Sequence, residues 1–193
     1  MPLGLRWWWN LKQEVKEIEV IVNNVVFHIP YNGEKYLLFE CVKCGSCCKG
    51  LLKPLMLTLR DMERISKTLG YDDVGDFLKN ECLRLKVEGL GFRWFLKRQS
   101  WETVNEVEKQ IPCRFLSHDG LCIIYSTRPM VCREFPFKTF FDGMHLHAKF
   151  MEAERTIMCM GFRESQTLNV KVLEDWAKIL KMAYKEYEET VKH

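Results

Sequence analysis

The stretch from Phe39 to Gly50 reads F-E-C-V-K-C-G-S-C-C-K-G and holds Cys41, Cys44, Cys47 and Cys48 within eight residues. Cysteine in a structural role is a small buried apolar residue, whereas the residues around these four make a polar, loop-like segment. A Cys-x-x-Cys loop lets two thiolates converge on one ion or cluster. The stretch therefore predicts a metal site that holds either zinc or an iron–sulfur cluster.

Composition sets limits on the kind of protein this is. A chain of 193 residues with 47% hydrophobic side chains is long enough for one domain with a real core, over residues 1–193. The 29 basic and 26 acidic residues leave a net charge of only +3. This charge is too small for the broad basic face of a nucleic-acid-binding protein, so no nucleic acid is expected as a partner.

The amino terminus decides how the nine cysteines are interpreted. Charged residues return at Lys12 soon after Trp7, Trp8 and Trp9, so we expect no signal peptide and no transmembrane segment. The expected location is the reducing cytoplasm, where clustered cysteines serve metal or redox sites more often than disulfides, although a disulfide scaffold is the lesser alternative. The three tryptophans either cap the core or anchor a partner.

Apolar spacing and turn residues predict an α+β fold, a small single domain with short antiparallel hairpins and three to four helices around the cysteine-ligated centre. The expected elements before residue 90 are a helix through Leu11, Val15 and Ile18, a hairpin that turns at Asn23-Asn24, a strand Tyr36–Phe39, a helix capped by Thr58 with Asp61 and ended by Gly70, and a helix from Asp73 to Gly89. Cys82 falls on the apolar stripe of that last helix, which favours a buried, inert thiol outside the site.

The second half of the chain carries the remaining cysteines on short elements. The expected elements are a strand Phe92–Trp101, a hairpin of Ile111–Leu116 and Leu121–Tyr125 bearing Cys113 and Cys122, a helical turn capped by Ser126 or Thr127 that presents Cys132 and ends at Pro136, a hairpin of Phe137–Phe141 and Met144–Phe150, and a long helix capped by Asn169. Cys159 lies in the loop before that last helix.

Without Cys82, eight of the nine cysteines are candidate ligands: Cys41, Cys44, Cys47, Cys48, Cys113, Cys122, Cys132 and Cys159. Zinc sites and cubane clusters take about four protein ligands each, so the count permits two centres or one centre with spare thiols. On an extended backbone, the adjacent Cys47 and Cys48 would point to opposite sides and could serve different centres, or one could be a ligand and the other a sulfur beside the centre. A strained vicinal disulfide is the alternative. The spacing matches neither a bacterial ferredoxin nor a zinc ribbon.

The cysteine pattern resembles the YkgJ-type cysteine-cluster family of zinc- or iron-chelating domains. The resemblance rests on the Cys-x-x-Cys-x-x-Cys-Cys run, Cys113-Arg-Phe-Leu, Asp119-Gly-Leu-Cys-Ile-Ile-Tyr, Arg128-Pro-Met-Val-Cys-Arg-Glu-Phe-Pro and Cys159-x-Gly161, and it covers about residues 39–161. It implies that the eight cysteines chelate metal, and it supplies no substrate. The same domain occurs in flagellin lysine N-methylases, and members are often labelled iron–sulfur oxidoreductases.

Other motif residues allow two interpretations each. Arg128 and Arg133 either donate to a cluster or substrate, or balance the charge of the thiolates. His145 and His147 share a face of an expected strand, where two half-buried histidines are favoured over a pair of ligands. Tyr125 and Phe135 are expected to be core residues. The Asp119-Gly120 pair is interpreted as the turn of a hairpin, because this residue pair favours the turn conformation.

Three functions are consistent with these patterns. The first is a protein that holds one or two iron–sulfur clusters, [4Fe–4S] by preference, for electron transfer with a redox partner. The second is a structural zinc module that presents the tryptophan-rich terminus to another protein. The third is an enzyme related to lysine N-methylases, but the chain has neither the radical Cys-x3-Cys-x2-Cys motif nor a Rossmann fingerprint, so a protein without catalytic activity of its own is favoured. The sequence predicts no oligomeric state.

Overall fold

The computed structural model of the chain describes residues 16–49, 55–97, 113–151 and 159–192. The described strands are β1 Lys16–Val22, β2 Val25–Tyr31, β3 Tyr36–Phe39, β4 Leu55–Met56, β5 Cys82–Val87, β6 Gly91–Leu96, β7 Phe137–Phe141, β8 Leu146–Phe150 and β9 Phe162–Ser165. The described helices are α1 Ser46–Lys49, α2 Leu59–Thr68, α3 Val74–Glu81, α4 Met130–Glu134 and α5 Val170–Val191, with a 3₁₀ turn η1 Tyr125–Thr127. This mixture confirms the predicted α+β class.

The elements group into two units, and each unit draws on separated parts of the chain. The first unit comprises described residues 16–47, 134–151 and 159–182, and the second comprises 48–49, 55–97, 113–133 and 183–192. The boundaries of a single domain at 1–193 stay a prediction. Within the described residues, no helix has the length and apolar character needed to cross a membrane.

The first unit is built on a six-stranded sheet with the order β7-β8-β2-β3-β9, and β1 pairs with β2. The predicted Asn23-Asn24 hairpin is confirmed, because β1 and β2 pair from Lys16↔Tyr31 to Val22↔Val25. Asn23 and Asn24 have φ angles of 50° and 61°, the left-handed pair that a tight hairpin turn requires. The parallel pairing of β2 with β8 then brings the late β7–β8 hairpin beside the early one.

Aromatic side chains form the core of the first unit and fix the end of β3, where the cysteine-rich stretch begins. The Phe39 ring lies 5.7 Å from Trp176 of α5 and 5.0 Å from Phe162 of β9, centroid to centroid. The Trp176 indole also donates a hydrogen bond to the Phe39 carbonyl at 3.3 Å. Phe137 packs edge-on against the same indole at 5.0 Å. The last residue of β3 is therefore held from both its ring and its backbone.

The second unit has its core between α2, α3 and the three-stranded sheet β4-β6-β5. The fully buried residues of this core include Leu57, Ile65 and Phe77. The predicted capping box is confirmed, because the Thr58 side chain accepts from the Asp61 N–H and the Asp61 side chain accepts from the Thr58 N–H. Gly70 has a φ of 76° after the end of α2, as a glycine stop requires.

Two predicted elements in the middle of the chain differ from the structure. The helix from Asp73 ends at Glu81, so Cys82 begins strand β5, and the prediction of a helix to Gly89 was wrong. The Leu83-Arg84-Leu85-Lys86-Val87 alternation suits a strand, and its pairing with β6 decides the matter. Within residues 113–125, the described part of the second predicted hairpin, the pairing is an isolated bridge, Leu116↔Cys122. Ile111 lies outside the described residues.

The remaining differences concern the amino terminus and the number of helices. Ile18, expected in an opening helix, lies in β1, while Leu11, Val15 and the Trp7, Trp8 and Trp9 triplet fall outside the described residues. Five α-helices are described instead of three to four, because α1 and α4 are single short turns. The Asp119-Gly120 turn is confirmed: Gly120 donates to the Ser117 carbonyl at 3.0 Å and has a φ of 76°.

Candidate metal centre

Four of the eight candidate cysteines belong to the first unit: Cys41, Cys44, Cys47 and Cys159, which we call the first set. The loop after β3 meets the segment before β9 at close range, since the Glu40 N–H donates to the Gly161 carbonyl at 3.0 Å. A Cβ on Gly161 would lie 2.5 Å from the Glu40 carbonyl oxygen and 2.7 Å from the Phe39 ring. Glycine at this position therefore allows the backbone bearing Cys159 to approach the backbone bearing Cys41.

Hydrogen bonds to sulfur link members of the first set. Burial acts to raise the pKa of the Cys44 thiol, but hydrogen bonds from Ser46, the Met160 N–H and Cys159 outweigh it, so the pKa falls below its usual value. The Ser46 hydroxyl lies 3.4 Å from the Cys44 sulfur. Burial raises the pKa of Cys159 to about 12, against the Gly161 N–H, and the neighbouring Cys44 and Cys47 thiols raise it further. The Cys44 and Cys159 side chains are thus joined by a hydrogen bond between their sulfurs.

The other four candidates belong to the second unit: Cys48, Cys113, Cys122 and Cys132, which we call the second set. The Cys113 N–H donates to the Cys48 carbonyl at 2.8 Å, so these two residues are joined through their backbones. Cys48 is buried, and Cys113 and Cys122 pack against the core of the second unit. Cys132 lies in the first turn of α4, where its N–H donates to the Pro129 carbonyl at 2.9 Å.

Several groups stabilise the anionic form of the Cys122 thiol in the second set. A hydrogen bond from Cys48 lowers its pKa well below the usual value, against the effect of burial. The Ile124 N–H and the positive charge of Arg128 lower the same pKa further. Backbone and thiol donors that converge on one sulfur are the pattern found around metal-bound thiolates.

The adjacent Cys47 and Cys48 interact with different sets. Both lie in the short helix α1, so the extended backbone that we expected for this pair was wrong. Side chains still diverge by about 100° between neighbours in a helix. The Cys47 thiol acts on Cys159 of the first set, whereas the Cys48 thiol bonds Cys122 of the second. The Cys47 and Cys48 side chains therefore diverge because they are neighbours in a helical turn, and not because the backbone is extended.

The structure assigns different surroundings to the two motif arginines. The Arg133 guanidinium bonds the Glu186 carboxylate and lies 3.7 Å from the Asp61 carboxylate. The Arg128 side chain stacks on the Tyr125 ring, 3.9 Å from guanidinium carbon to ring centroid. Tyr125 and Phe135 are both partly buried. The Tyr125 ring stacks against the Arg128 guanidinium, and the Phe135 ring packs edge-on against Phe39, with 6.0 Å between the ring centroids.

Only one of the two predicted strand histidines lies in a strand. His147 belongs to β8 and is half-buried, as expected, whereas His145 lies in the preceding turn. The His147 ring bonds His28 on one side and Asp142 on the other, at 2.9 Å each. Sequence analysis did not identify His28 as a neighbour of His147. The two residues meet through the parallel pairing of β2 with β8, which no local sequence pattern predicts.

Cys82 has the properties expected of a structural thiol. It is 4% exposed and belongs to the core of the second unit. Burial, together with the nearby Glu81 carboxylate, raises its pKa to about 12, against the effects of Lys97 and Arg114. This burial in an apolar core is typical of a structural thiol. The exclusion of Cys82 from the site stays a prediction.

Comparison with known families was decisive for the class of site. The model of the family "CxxCxxCC: Putative zinc- or iron-chelating domain" matches residues 40–160, which contain all eight candidate cysteines. The chain belongs to the CxxCxxCC family. The match confirms the family predicted from the sequence and supports a zinc- or iron-chelating role. Searches of curated proteins and of solved structures gave no match.

The donor chemistry of this CxxCxxCC protein fits a thiophilic metal. Both sets offer sulfur ligands of the kind that zinc and iron–sulfur clusters take. Among the described residues, no group of three or more His, Cys, Asp or Glu side chains is arranged as a metal site. The fit therefore rests on the identity of the donors and on their N–H and S–H hydrogen bonds.

Proposed function

We propose that the chain binds two metal centres, one through each set of cysteines, and that both are [4Fe–4S] clusters used in electron transfer or a related redox role. Each set supplies the four thiolates that one cluster needs. The observation that carries the division is the contrast between Cys47, which acts on Cys159, and Cys48, which bonds Cys122. Negatively charged thiolates within one set would repel each other, and a bound cation would relieve that repulsion.

Several features of the described residues favour iron–sulfur chemistry. The Ser46, Met160, Gly161 and Ile124 donors lie where they would hydrogen-bond metal-bound sulfurs and tune a cluster's potential. Cys113 and Cys122 pack against an apolar core that would limit the access of water. A bound cluster would supply one-electron transfer, and the chain's own residues would hold it and set its charge environment.

Metal and sulfide analysis after anaerobic purification tests the identity of the centres. The expected product is brown and contains about eight iron atoms and a similar amount of acid-labile sulfide per chain. A colourless protein with stoichiometric zinc and no sulfide would contradict the iron–sulfur proposal and favour the structural zinc module. In that case, removal of the zinc by a chelator should unfold at least one of the two units, and circular dichroism would detect the loss of secondary structure.

Single cysteine variants test the division into two centres. Cys159→Ser is expected to lose about half of the metal, Cys122→Ser about half, and the double variant nearly all of it, since four ligands serve each centre. Cys82→Ser is the matched control, because it removes a buried thiol that belongs to neither set, and it should retain full metal content. Loss of all metal in either single variant would show that one centre draws on both sets.

A further inference from the structure

We propose that His28 and His147 form a hydrogen-bonded pair that takes up a single proton from solution, and that the Glu19 carboxylate closes onto the pair when this proton arrives. The two rings come from neighbouring strands, because β2 and β8 pair in parallel. All three residues belong to the first unit. The inference does not depend on the proposed metal centres.

The two imidazole rings point at each other through one nitrogen each. His28 Nε2 lies 2.9 Å from His147 Nδ1, and the ring centroids are 5.2 Å apart. The centroid separation equals the distance between the nitrogens plus about one ring radius on each side, so both nitrogens lie near the line that joins the rings. This is the arrangement of a near-linear hydrogen bond. A metal ion held by both nitrogens at about 2.0–2.1 Å would require their lone pairs to converge at a point off this line, so a proton is the ligand that fits the gap.

The Asp142 carboxylate determines which nitrogen of His147 carries the hydrogen. Its Oδ2 lies 2.9 Å from His147 Nε2. Backbone N–H groups of the β7–β8 turn, together with this ring, hold the pKa of Asp142 well below its usual value, so the carboxylate is ionised and can only accept. His147 therefore donates from Nε2, and as a neutral ring it accepts at Nδ1 from the His28 Nε2–H.

The lengths of the three gaps between these groups match the number of protons that two neutral rings carry. Each neutral ring has one N–H, and the two N–H groups fill the gaps from Asp142 to His147 and from His147 to His28. His28 Nδ1 then carries no hydrogen, and it faces Glu19 Oε1 at 3.7 Å, which is too long for a hydrogen bond. One added proton on this nitrogen would close the third gap, because the Glu19 side chain is 64% exposed and can move to bond an imidazolium.

A second added proton has no acceptor in the pair. It would enter at His147 Nδ1, where it would face the His28 N–H and break the bond between the rings. Water has limited access to replace that bond, since the two side chains are 15% and 14% exposed. The Phe140 ring also stacks on His147, with 4.7 Å between centroids and 11° between planes. The pair therefore holds one added proton, whereas two separate, exposed histidines would hold two.

The other charged groups on this face of the sheet come from β1, β7, β8 and the β7–β8 turn. Glu17 of β1 pairs with Lys149 of β8 at 2.9 Å, so their charges balance. Lys138 of β7 is the register partner of Lys149 and shares its face. In the turn, the His145 N–H donates to Asp142 at 2.7 Å. The carboxylates that face the two rings are thus those at the two ends of the hydrogen-bonded chain.

Nitrogen-15 NMR of the imidazole rings in the full chain tests the pair, because the ring nitrogen shifts distinguish the two neutral tautomers from the imidazolium. Between about pH 8 and pH 5, the range in which histidine changes charge, His28 should become an imidazolium while His147 stays neutral with its hydrogen on Nε2. His118, which is exposed and belongs to the second unit, is the internal reference and should become an imidazolium. Imidazolium signals from both His28 and His147 in the folded protein, or a hydrogen on Nδ1 of neutral His147, would overturn the proposal.

Glu19→Gln tests the closing carboxylate. The variant should weaken proton binding at His28 by about 2- to 5-fold, the usual effect of losing an exposed ion pair, and the midpoint of the His28 titration should move to lower pH. Glu17→Gln is the matched control, because it removes a carboxylate from the same strand that pairs with Lys149 instead, and it should leave the midpoint unchanged. Equal midpoints for Glu19→Gln and the wild type, or equal shifts in both variants, would overturn the role of Glu19.

Discussion

Cys159 of the first set and Cys122 of the second set differ in what shifts the pKa of their thiols. In the first set, burial and the neighbouring thiols Cys44 and Cys47 raise the pKa of Cys159. In the second set, a hydrogen bond from Cys48, the Ile124 N–H and the charge of Arg128 lower the pKa of Cys122. The surroundings of Cys122 therefore favour the thiolate, while Cys159 depends more heavily on a bound metal to become a thiolate.

The scaffolds of the two sets differ as well. The first set is held where strands end, through the contact of Glu40 with Gly161 and the packing of Phe39. The second set is held by turns that pack on the core of the second unit, beside the ion pair of the buried Asp61 with Arg133. The scaffold of the first set thus depends on close backbone packing, and that of the second set depends on paired charges. A substitution can therefore disrupt one scaffold and leave the other intact.

The largest expected effect comes from Asp61→Ala in the second unit. The Asp61 carboxylate accepts from the Thr58 N–H and the Met130 N–H, at 3.0 Å each, and pairs with Arg64. Removing one partner of a buried ion pair costs about 3–5 kcal/mol, because the remaining charge and N–H groups are left buried without partners. Chemical denaturation measures this loss in the free energy of unfolding.

The control for this change is Glu63→Ala, which removes an exposed carboxylate from the same helix α2. A surface change of this kind should alter the free energy of unfolding by no more than about 0.5 kcal/mol. Similar values for the two variants would show that the buried charges do not support the second set.

Gly161→Ala should give the next largest effect, now in the first unit. The added Cβ would meet the Glu40 carbonyl oxygen at 2.5 Å, and backbone cannot move aside as a flexible side chain would. Overpacking of this kind costs about 1–3 kcal/mol in the free energy of unfolding. Thermal unfolding of the variant is compared with that of Met160→Ala, which shortens a neighbouring side chain that is 73% exposed.

This pair of variants also separates the sets through their metal content. Gly161→Ala should lose metal from the first set, because Cys159 lies two residues away, and retain it in the second. If Gly161→Ala were as stable as Met160→Ala and kept all of its metal, the close approach would not be what holds the first set together.

Elements with local causes were predictable from the sequence. The Asn23-Asn24 turn, the Thr58–Asp61 capping box and the glycine stop at Gly70 each depend on side chains within a few residues of one another. The eight candidate cysteines were recognisable for another reason, since their spacing along the chain identified the CxxCxxCC family. Their role as ligands stays a prediction.

Features that depend on distant partners were not predictable. The Cys82–Val87 stretch fits both a helical stripe and an alternating strand, and only its pairing with β6 selects the strand. The division of the cysteines is a similar case. Adjacent residues Cys47 and Cys48 look equivalent in the sequence, and contacts with Cys159 and Cys122, far along the chain, distinguish them.

The smallest expected effect is a pH dependence that arises in the first unit. The His145 N–H, the His147 ring and the Met144 N–H hold the pKa of Asp142 well below its usual value, and both N–H groups lie 2.7 Å from Oδ1. A carboxyl with a lowered folded-state pKa stabilises the fold above its unfolded pKa of about 4. That contribution is lost as the pH falls from about 4 towards the folded-state value.

Asp142→Asn should therefore flatten the acid side of the stability profile. Denaturation of both proteins from pH 6 to pH 3 is expected to show a small deficit of the variant at pH 6 that shrinks towards pH 3. The deficit shrinks because the Asp142 carboxyl of the unfolded wild type takes up a proton below about pH 4, which favours the unfolded state. Asp119→Asn, in the Asp-Gly turn of the second unit, is the control for removing a turn carboxylate. Parallel profiles for Asp142→Asn and the wild type would exclude this charge, and the link from Asp142 through His147 to His28, as a source of acid sensitivity in the first unit.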